Sequence, residues 1–291
     1  MLNDFGIVEE NVSLENYNTY RIKTTAKYLA KPTNIASLQS LLIYLEKNKI
    51  PYLILGKGSN VILPDNPFNG CIISLEKINQ ITIEENKVTV ECGAILGVLV
   101  KKLIDNNLQG LEHLALIPGS VGGALFGNAG VKNHSIYDYL ISVEVLRNNE
   151  LITIKKEEIK IDYRQTSFQN SQDILVKAVF VLTPGNKEEL QQVVADNRAM
   201  RTKTQPLEYS NAGSVFRNPE GYAAGKLIDD LNLKGYHIND AYISDKHANF
   251  IINKGSATSK DIKELIKYIQ KKVQEHYKIE LVLEQRIIEW E

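Results

Sequence analysis

The 291-residue chain lacks several features that would place it in a specialised class of protein. It has two cysteines, Cys71 and Cys92, which are too few for a disulfide scaffold and have no metal-site spacing. The five histidines show no metal-ligand spacing either, so no metal ion is expected. The formal net charge is -1, which gives no general attraction to nucleic acid or anionic lipid.

Long hydrophobic runs are missing as well. No apolar stretch approaches the roughly 18 residues that are needed to span a membrane. The opening residues Met-Leu-Asn-Asp-Phe-Gly lack the basic and apolar regions of a signal peptide. We therefore expect a cytoplasmic protein with no membrane or nucleic-acid partner, and the sequence leaves its oligomeric state open.

The composition is that of an ordinary globular protein, with 43% hydrophobic and 24% charged residues. Apolar periodicity predicts helices at 35–48, 95–106, 187–201, 223–231 and 259–277. Strands are predicted at 52–55, 61–63, 71–75, 80–83, 87–91, 141–146, 151–155, 174–182, 249–252 and 281–283. The strands 80–83 and 87–91 are predicted to form one hairpin, and 141–146 and 151–155 a second. Strands and helices do not alternate regularly, which favours an α+β class over a doubly wound parallel sheet or a barrel.

A glycine-rich stretch at residues 115–130 stands out in the middle of the chain. It has five glycines in sixteen residues, is introduced by Pro118 and ends beside Asn128. Such a loop lets a ligand approach the backbone and can present N–H groups to phosphate or to a cofactor edge. This pattern favours a ligand platform over a tight buried turn, but it does not name the ligand.

A second glycine loop, Gly56-Lys57-Gly58-Ser59-Asn60, lies between two predicted strands. It lacks the spacing and the following helix of a P-loop and of the Gly-x-Gly-x-x-Gly dinucleotide fingerprint. The backbone amides and the Ser59 hydroxyl could still bind a pyrophosphate. A plain turn is the alternative.

Three polar residues lie at the edges of predicted elements: Arg164, Ser214 and Glu284. An arginine can grip a carboxylate with two hydrogen bonds, a hydroxyl can deliver a proton, and a carboxylate can orient both. The alternatives are an exposed strand end for Arg164, a turn for Ser214 and a surface ion pair of Glu284 with Arg286. His247 precedes an apolar strand, where a structural role is the alternative to a functional one.

Together these segments resemble one enzyme family, the UDP-N-acetylenolpyruvoylglucosamine reductases, also called UDP-N-acetylmuramate dehydrogenases. The resemblance extends from about residue 13 to residue 288. It is carried by nine motifs in the family's order: Thr19-Tyr20-Arg21-Ile22, Gly56-Lys57-Gly58-Ser59-Asn60, Ile117-Pro118-Gly119-Ser120-Val121-Gly122-Gly123-Ala124, Asn128-Ala129-Gly130, Tyr163-Arg164, Gly213-Ser214-Val215-Phe216-Arg217-Asn218-Pro219, Ala224-Gly225-Lys226-Leu227-Ile228, Lys246-His247-Ala248-Asn249-Phe250 and Glu284-Gln285-Arg286.

The resemblance implies an FAD-binding domain of the vanillyl-alcohol-oxidase (PCMH) type in two α+β subdomains, at 1–68 and 69–195. A C-terminal α+β substrate-binding domain would follow at 196–291. The family has two types, one of which carries an extra tyrosine-bearing loop. The short span from Tyr163-Arg164 to Arg201 leaves little room for that loop, so the chain resembles the second, shorter type.

The resemblance also implies a reaction in peptidoglycan precursor synthesis, and with it a role in cell-wall biogenesis, cell shape and division. NADPH would reduce a non-covalently bound FAD, and hydride transfer from FAD would reduce UDP-N-acetylglucosamine enolpyruvate to UDP-N-acetylmuramate. Ser214 would be the general acid. Arg164 and Glu284 would engage and polarise the enolpyruvyl carboxylate.

Further residues take binding roles by the same resemblance. Those implied for FAD are Tyr20, Arg21, Gly56, Lys57, Gly58, Ser59, Asn60, Pro118, Gly119, Ser120, Gly122, Gly123, Ala124, Asn128, Ala129 and Gly130. Those implied for the sugar nucleotide or NADPH are Tyr163, Arg201, Lys203, Asn218, Lys226, His247 and Arg286.

The chain departs from the family pattern at several positions. Lys23-Thr24-Thr25 follows Ile22, where the family usually has Gly-Gly, so an early cofactor-side turn is expected to differ. Gln285 stands where a valine is usual, and Glu289 where a glycine is usual. None of these departures removes a predicted catalytic residue.

Two other hypotheses remain open. The chain could be another oxidoreductase of the same fold, such as an alcohol or sugar oxidase. Those enzymes often attach flavin to a histidine or cysteine near the pyrophosphate loop, and neither residue occurs between Gly56 and Asn60. It could also be a non-catalytic nucleotide-sugar binding module, which would be colourless when purified.

Overall fold

The computed structural model describes residues 5–290, and contacts divide the chain into two units. The first unit contains the described part of Met1–Glu10, together with Tyr28–Lys57 and Gly70–Ala199. The second unit contains Asn11–Lys27, Gly58–Asn69 and the C-terminal part from Met200. The glycine-rich stretch and Arg164 therefore belong to the first unit, whereas Ser214 and Glu284 belong to the second.

Short strands outnumber helices in the described chain. The strands are β1 (Ile7–Ser13), β2 (Thr25–Lys31), β3 (Tyr52–Ile54), β4 (Val61–Ile62), β5 (Phe68–Ile73), β6 (Ile81–Glu84), β7 (Lys87–Glu91), β8 (Leu108–Gln109), β9 (Gly130–Val131), β10 (His134–Ser135), β11 (Leu140–Arg147), β12 (Glu150–Lys155), β13 (Ile161–Asp162), β14 (Gln165–Thr166), β15 (Ile174–Val181), β16 (Thr183–Pro184), β17 (His237–Ile238), β18 (Ala241–Ile243), β19 (Ile251–Asn253) and β20 (Arg286–Ile287). The α-helices are α1 (Ile35–Lys47), α2 (Leu96–Asp105), α3 (Val121–Phe126), α4 (Lys187–Thr204), α5 (Ala224–Asp230) and α6 (Ser259–Tyr277).

The first unit is built on a five-stranded sheet of order β12-β11-β15-β7-β6, in which every neighbouring pair is antiparallel. Both hairpins predicted from the sequence, β6–β7 and β11–β12, are present in it. Val143 and Val145, which alternate along β11, are fully buried. Because alternate side chains of a strand point to the same face, they pack in one core with the apolar side of α2.

A second core of the first unit forms around α1. Asn34 caps this helix, since its side chain accepts from the Ser37 N–H and the Ser37 side chain accepts from the Asn34 N–H. The four leucines at helical spacing, Leu38, Leu41, Leu42 and Leu45, are buried. They pack with Cys71 and Ile73 of β5, which pairs in parallel with β3.

The second unit packs helices against a small sheet of order β17-β18-β19. Helix α6 begins after Thr258, whose side chain accepts from the Asp261 N–H, and has the bounds predicted from the sequence. Its apolar face is buried in a core shared with α5 and with Tyr20 and Ile22. Strand β20 pairs in parallel with β4, so residues 286–287 lie beside residues 61–62.

The structure differs from the sequence predictions in two places that bear on the site. Helix α3 lies inside the glycine-rich stretch, where a loop or a tight turn was predicted. Glycine is a poor helix former, so the sequence has no local signal for this short helix. Residues 281–283 do not form the predicted strand, and Leu283 makes only an isolated bridge with Phe216. A three-residue apolar run is too short to distinguish a strand from a buried coil.

No helix among residues 5–290 is both long and apolar enough to cross a membrane.

Candidate active site

The loop that carries Ser214 is short and held by hydrogen bonds on both sides. Gly213 has a positive φ of 77°, which suits glycine, and Ser214 forms an isolated antiparallel bridge with Phe250. Asn211 accepts from the Gly213 N–H through Oδ1 at 3.0 Å. Ser214 itself is partly exposed.

Asn249 fixes the downstream side of this loop. Its backbone carbonyl accepts from the Val215 N–H at 2.9 Å, and its buried amide both accepts from and donates to the backbone of Phe216. His247 Nδ1 in turn accepts from the Asn249 N–H at 3.2 Å, and burial lowers the pKa of the imidazole. His247 therefore has a structural role, which was the alternative to a functional role in the sequence analysis.

Glu284 is attached to the Ser214 loop through the backbone. Its N–H donates to the Val215 carbonyl at 2.9 Å. The Glu284 carbonyl accepts from Asn60 Nδ2 at 3.1 Å, and the Asn60 carbonyl accepts from the Arg286 N–H at 3.0 Å. Three segments that are far apart in the chain, 58–60, 212–216 and 284–286, are thus joined in the second unit.

Gln285, between Glu284 and Arg286, is hydrogen-bonded to the loop of Ser214, and it was not among the predicted site residues. It is 3% exposed, and its amide donates to the carbonyls of Ala212 and Gly213. Its Oε1 accepts from the Tyr20 hydroxyl at 3.0 Å. The departure from the family pattern at this position was visible in the sequence, but the three partners were not.

Gly58 occupies a position that no other residue could fill without a change of the loop. Its φ is 62°, and a Cβ there would lie 2.2 Å from the Tyr17 carbonyl oxygen. The Gly58 carbonyl accepts from the Thr19 N–H at 3.1 Å and from Thr19 Oγ1 at 3.3 Å. The loop backbone is therefore closely packed on residues 17–19.

The glycine-rich stretch of the first unit begins helix α3 and packs against a neighbouring turn. Ser120 caps the helix by accepting from the Gly123 N–H at 3.2 Å. A Cβ on Gly122 would lie 3.0 Å from the Cβ of Cys92, so this glycine permits close packing. A Cβ on Gly56 would lie 3.0 Å from Ser120 Oγ, which brings the first residue of the 56–60 loop against the stretch.

Arg164 is fixed by the end of the same stretch. Its φ is 57°, at the tip of the β13–β14 hairpin. The guanidinium donates from Nη1 to the Asn128 carbonyl at 3.1 Å and from Nη2 to the Gly130 carbonyl at 2.6 Å. It also lies 5.1 Å from the centroid of the Tyr163 ring. Two separate sequence predictions, the stretch and the arginine, are thus brought together within the first unit.

Asn128 secures this arrangement from the other side. Its Nδ2 donates to the Asp162 carbonyl at 2.7 Å, and its Oδ1 accepts from Ser135 Oγ at 2.6 Å. The Asn128 side chain therefore forms hydrogen bonds with neighbouring loops, while its backbone carbonyl accepts from Arg164.

The remaining predicted residues are spread over both units. Lys57 forms an ion pair with Glu76 at 3.8 Å, and Lys226 forms one with Asp230 at 2.9 Å. Asn218 Oδ1 accepts from the Ala224 N–H at the start of α5, and Arg201 Nε donates to Gln205. Arg21 donates to Asn16, Lys203 is exposed on α4, and the Tyr20 ring is fully buried.

Comparison with known proteins first defines a class. The profile of an FAD-binding domain matches residues 26–154. The fold is also like that of 6-hydroxy-D-nicotine oxidase from Arthrobacter nicotinovorans, with 16% identity, a TM-score of 0.50, and coverage of 62% of this chain and 42% of that chain. The chain is thus an α+β flavoprotein with an FAD-binding domain of the PCMH type.

More similar proteins define the family. The profile of the UDP-N-acetylenolpyruvoylglucosamine reductase C-terminal domain matches residues 205–288. The reductase of that name from Clostridium novyi (strain NT) is 38% identical over 282 residues, covering 97% of this chain and 92% of the relative. The reductase from Prochlorococcus marinus (strain NATL2A) is 39% identical over 280 residues, covering 95% and 96%.

A crystal structure of UDP-N-acetylenolpyruvylglucosamine reductase from Thermus caldophilus superimposes with a TM-score of 0.83 at 32% identity, covering 97% of this chain and all of that one. The chain belongs to the UDP-N-acetylenolpyruvoylglucosamine reductase family, and it is an FAD-dependent oxidoreductase.

The local geometry fits FAD. The Gly58 carbonyl is engaged by Thr19 and the Asn60 carbonyl by Arg286, so the carbonyl side of this turn is bonded to the protein. A glycine backbone held in this way is suited to present amides to a pyrophosphate.

Proposed function

We propose that this protein reduces UDP-N-acetylglucosamine enolpyruvate to UDP-N-acetylmuramate in peptidoglycan precursor synthesis, with NADPH as the reductant, in the cytoplasm. The observation that carries the proposal is the junction of segments 58–60, 212–216 and 284–286. Ser214 and Glu284 thus lie on segments that are hydrogen-bonded to each other. The segment of Glu284 is also hydrogen-bonded to the glycine loop that is suited to bind phosphate.

The protein's part in this reaction is to bind, orient and protonate. Bound FAD supplies the two-electron redox chemistry that side chains lack. Gly56 to Asn60 would hold its pyrophosphate, and residues 118–130 would contact its ring system. The FAD-binding role of segments 1–68 and 69–195, and the substrate role of 196–291, are parts of this proposal.

Ser214 is the proposed general acid. Reduction of the enol ether places enolate character on the carboxylate side of the substrate, and the carbon next to the carboxylate then takes up a proton. A serine hydroxyl is a weak acid, but an enolate is a strong enough base to accept its proton. The proton so delivered completes the lactyl ether.

Arg164 and Glu284 are proposed to engage and polarise the enolpyruvyl carboxylate. The Arg164 guanidinium has five N–H donors. The carbonyls of Asn128 and Gly130 accept from two of its nitrogens and so orient the group. A fixed cation costs no reorganisation when negative charge develops on the substrate. Tyr163, Arg201, Lys203, Asn218, Lys226, His247 and Arg286 stay proposed contacts for the nucleotide phosphates and sugar.

The state of the two cysteines supports non-covalent FAD. Both side chains are buried, and burial raises the pKa of the Cys71 thiol to about 12 and also raises the pKa of the Cys92 thiol. A thiol that stays protonated at neutral pH is a poor nucleophile for attachment to a flavin. This observation speaks against a flavin attached through cysteine, one route by which the alternative oxidases bind theirs.

The proposal is tested by the stoichiometry of the purified, FAD-loaded protein. Under anaerobic conditions, NADPH oxidation beyond the one equivalent that reduces the bound flavin should require the enolpyruvyl sugar nucleotide, and each further NADPH consumed should yield one product molecule that has gained two hydrogens, measured by mass spectrometry. Yellow colour that stays with the precipitated, denatured protein, or a colourless protein that binds UDP-sugars without FAD, would contradict the proposal.

The Gly58→Ala variant is expected to bind FAD more weakly, by roughly tenfold or more, because the new methyl group cannot lie 2.2 Å from the Tyr17 carbonyl oxygen. The measurement is the dissociation constant of FAD by fluorescence titration of the apoprotein. Gly221→Ala is the matched control, since Gly221 has a φ of 74° with open space at its Cβ position. It carries the same left-handed backbone cost of about 1–2 kcal/mol without the clash. Equal losses of affinity in the two variants would show that Gly58 does not shape the FAD loop.

A further inference from the structure

Gln285 is a buried polar residue whose amide hydrogen-bonding groups are all matched. Its two Nε2 hydrogens have two acceptors, the carbonyls of Ala212 at 3.1 Å and Gly213 at 3.0 Å. Its Oε1 accepts from the Tyr20 hydroxyl, 265 positions earlier in the chain. A buried amide is retained at low cost only when its partners are complete, so this geometry is well specified.

The two carbonyls that Gln285 holds belong to the two peptide groups immediately before the Cα of Ser214. The residue between those groups is Gly213, which has a positive φ and nothing within 4 Å of its Cβ position. A glycine in open space can adopt many backbone conformations, so sterics alone do not select the observed one. The observed conformation is held by the hydrogen bonds from Gln285 and by the one that Asn211 accepts from the Gly213 N–H.

Tyr20 fixes Gln285 in turn. The tyrosine ring is fully buried, and its own backbone carbonyl accepts from Asn253 Nδ2 at 2.8 Å. With the ring and the backbone both held, the position of the hydroxyl from which Oε1 accepts is fixed. The amide is thereby oriented with Nε2 toward the Ser214 loop.

We propose that Gln285 is a positioning residue for the proton transfer: with Tyr20 it fixes the two peptide groups before Ser214 and so sets the position and direction of the Cα–Cβ bond that carries the Ser214 hydroxyl. This inference rests on the proposed role of Ser214 as the general acid. It also assigns Tyr20 to the support of that loop, a role different from the FAD contact that the resemblance implied.

The test separates the two half-reactions by rapid mixing of FAD-loaded protein. Gln285→Leu keeps most of the side-chain volume and removes all three hydrogen bonds. We expect flavin reoxidation by UDP-N-acetylglucosamine enolpyruvate to slow by about 10- to 100-fold, as a small misplacement of a reacting group does. Flavin reduction by NADPH should stay within about twofold, because no proton from Ser214 is needed there. The solvent deuterium isotope effect on reoxidation should rise as proton delivery becomes limiting.

Tyr20→Phe provides a milder variant that leaves the amide in place. Because both Nε2 bonds can persist, we expect a smaller loss of the reoxidation rate, about two- to fivefold. Gln39→Leu is the matched control, since the Gln39 amide donates to the Asn149 carbonyl and has no hydrogen bond with residues 212–216 among those described for residues 5–290. It should leave both half-reactions unchanged.

The double variant Ser214→Ala with Gln285→Leu decides whether Gln285 acts through Ser214. If it does, Gln285→Leu should slow reoxidation little further once the hydroxyl is gone. Additive losses, or equal losses in both half-reactions of Gln285→Leu, would overturn the positioning role. An unchanged reoxidation rate in Ser214→Ala alone would instead show that the acid role itself is wrong, and the positioning role with it.

Discussion

Replacing Ser214 by alanine is expected to slow flavin reoxidation by the enolpyruvyl sugar nucleotide by about 10²- to 10⁴-fold, the usual contribution of a general acid. Reduction of the flavin by NADPH should be nearly unchanged, because that step needs no proton from the serine. The measurement is stopped-flow absorbance of the flavin in each half-reaction, under anaerobic conditions. The loop should keep its shape, since its bonds to Asn249 and Gln285 are made by backbone atoms of the loop.

Ser256→Ala is a suitable control for this variant. Ser256 is an exposed serine of the same unit, whose N–H donates to Asp240. It should leave both half-reactions as they are. Equal slowing of both half-reactions in folded, FAD-loaded Ser214→Ala protein would mean that the serine supports binding or folding and does not donate the proton.

The second large effect is expected at Arg164. Arg164→Met should slow reoxidation by about 10²- to 10³-fold, because the developing negative charge on the substrate carboxylate loses a fixed cation. Arg164→Lys keeps the charge but cannot donate from two nitrogens of one plane to the carbonyls of Asn128 and Gly130, so it should recover only part of the rate. The measurement is kcat/KM for the enolpyruvyl sugar nucleotide beside the rate of flavin reduction.

A variant of an uncharged neighbouring residue shows how much of the rate loss in Arg164→Met comes from lost support of the hairpin. Gln169 Nε2 donates to the carbonyls of Phe126 and Arg164, so it stabilises the same hairpin without carrying charge. Gln169→Leu should lower kcat/KM by less than about tenfold, in line with a lost hydrogen bond. If Gln169→Leu lowers kcat/KM as much as Arg164→Met does, support of the hairpin accounts for the effect, and the charge of Arg164 does not.

Local patterns in the sequence predicted the elements that local physics determines. Helix α6 has its predicted bounds because an apolar face at helical spacing follows the capping pair Thr258 and Asp261. The antiparallel hairpins β6–β7 and β11–β12 were predicted for the same reason, since alternation and a short turn suffice to specify them. The α+β class followed from the order of these elements and is confirmed.

Contacts between distant segments could not be read from such patterns. The parallel pair β4–β20 is two residues long on each side and joins positions more than 200 residues apart, so neither strand has a periodic signal. The bond from Asn60 to the Glu284 carbonyl spans 224 positions and depends on that pairing. The Gln285 amide was visible only as a departure from a family pattern, because a buried glutamine shows its meaning only through its partners.

The sequence therefore named candidate site residues but not their arrangement. The resemblance named Ser214, Glu284 and the 56–60 loop, and the structure shows the hydrogen bonds that join their segments. It likewise named Arg164 and Asn128 separately, and the structure joins them through a hydrogen bond. The catalytic roles of these residues stay predictions.

The most direct measurement of the central claim is a two-step anaerobic titration of the FAD-loaded protein. NADPH should bleach the flavin absorbance, and one equivalent of UDP-N-acetylglucosamine enolpyruvate should then restore it, with formation of UDP-N-acetylmuramate. A reduced flavin that stays bleached after the sugar nucleotide is added would contradict the proposed function.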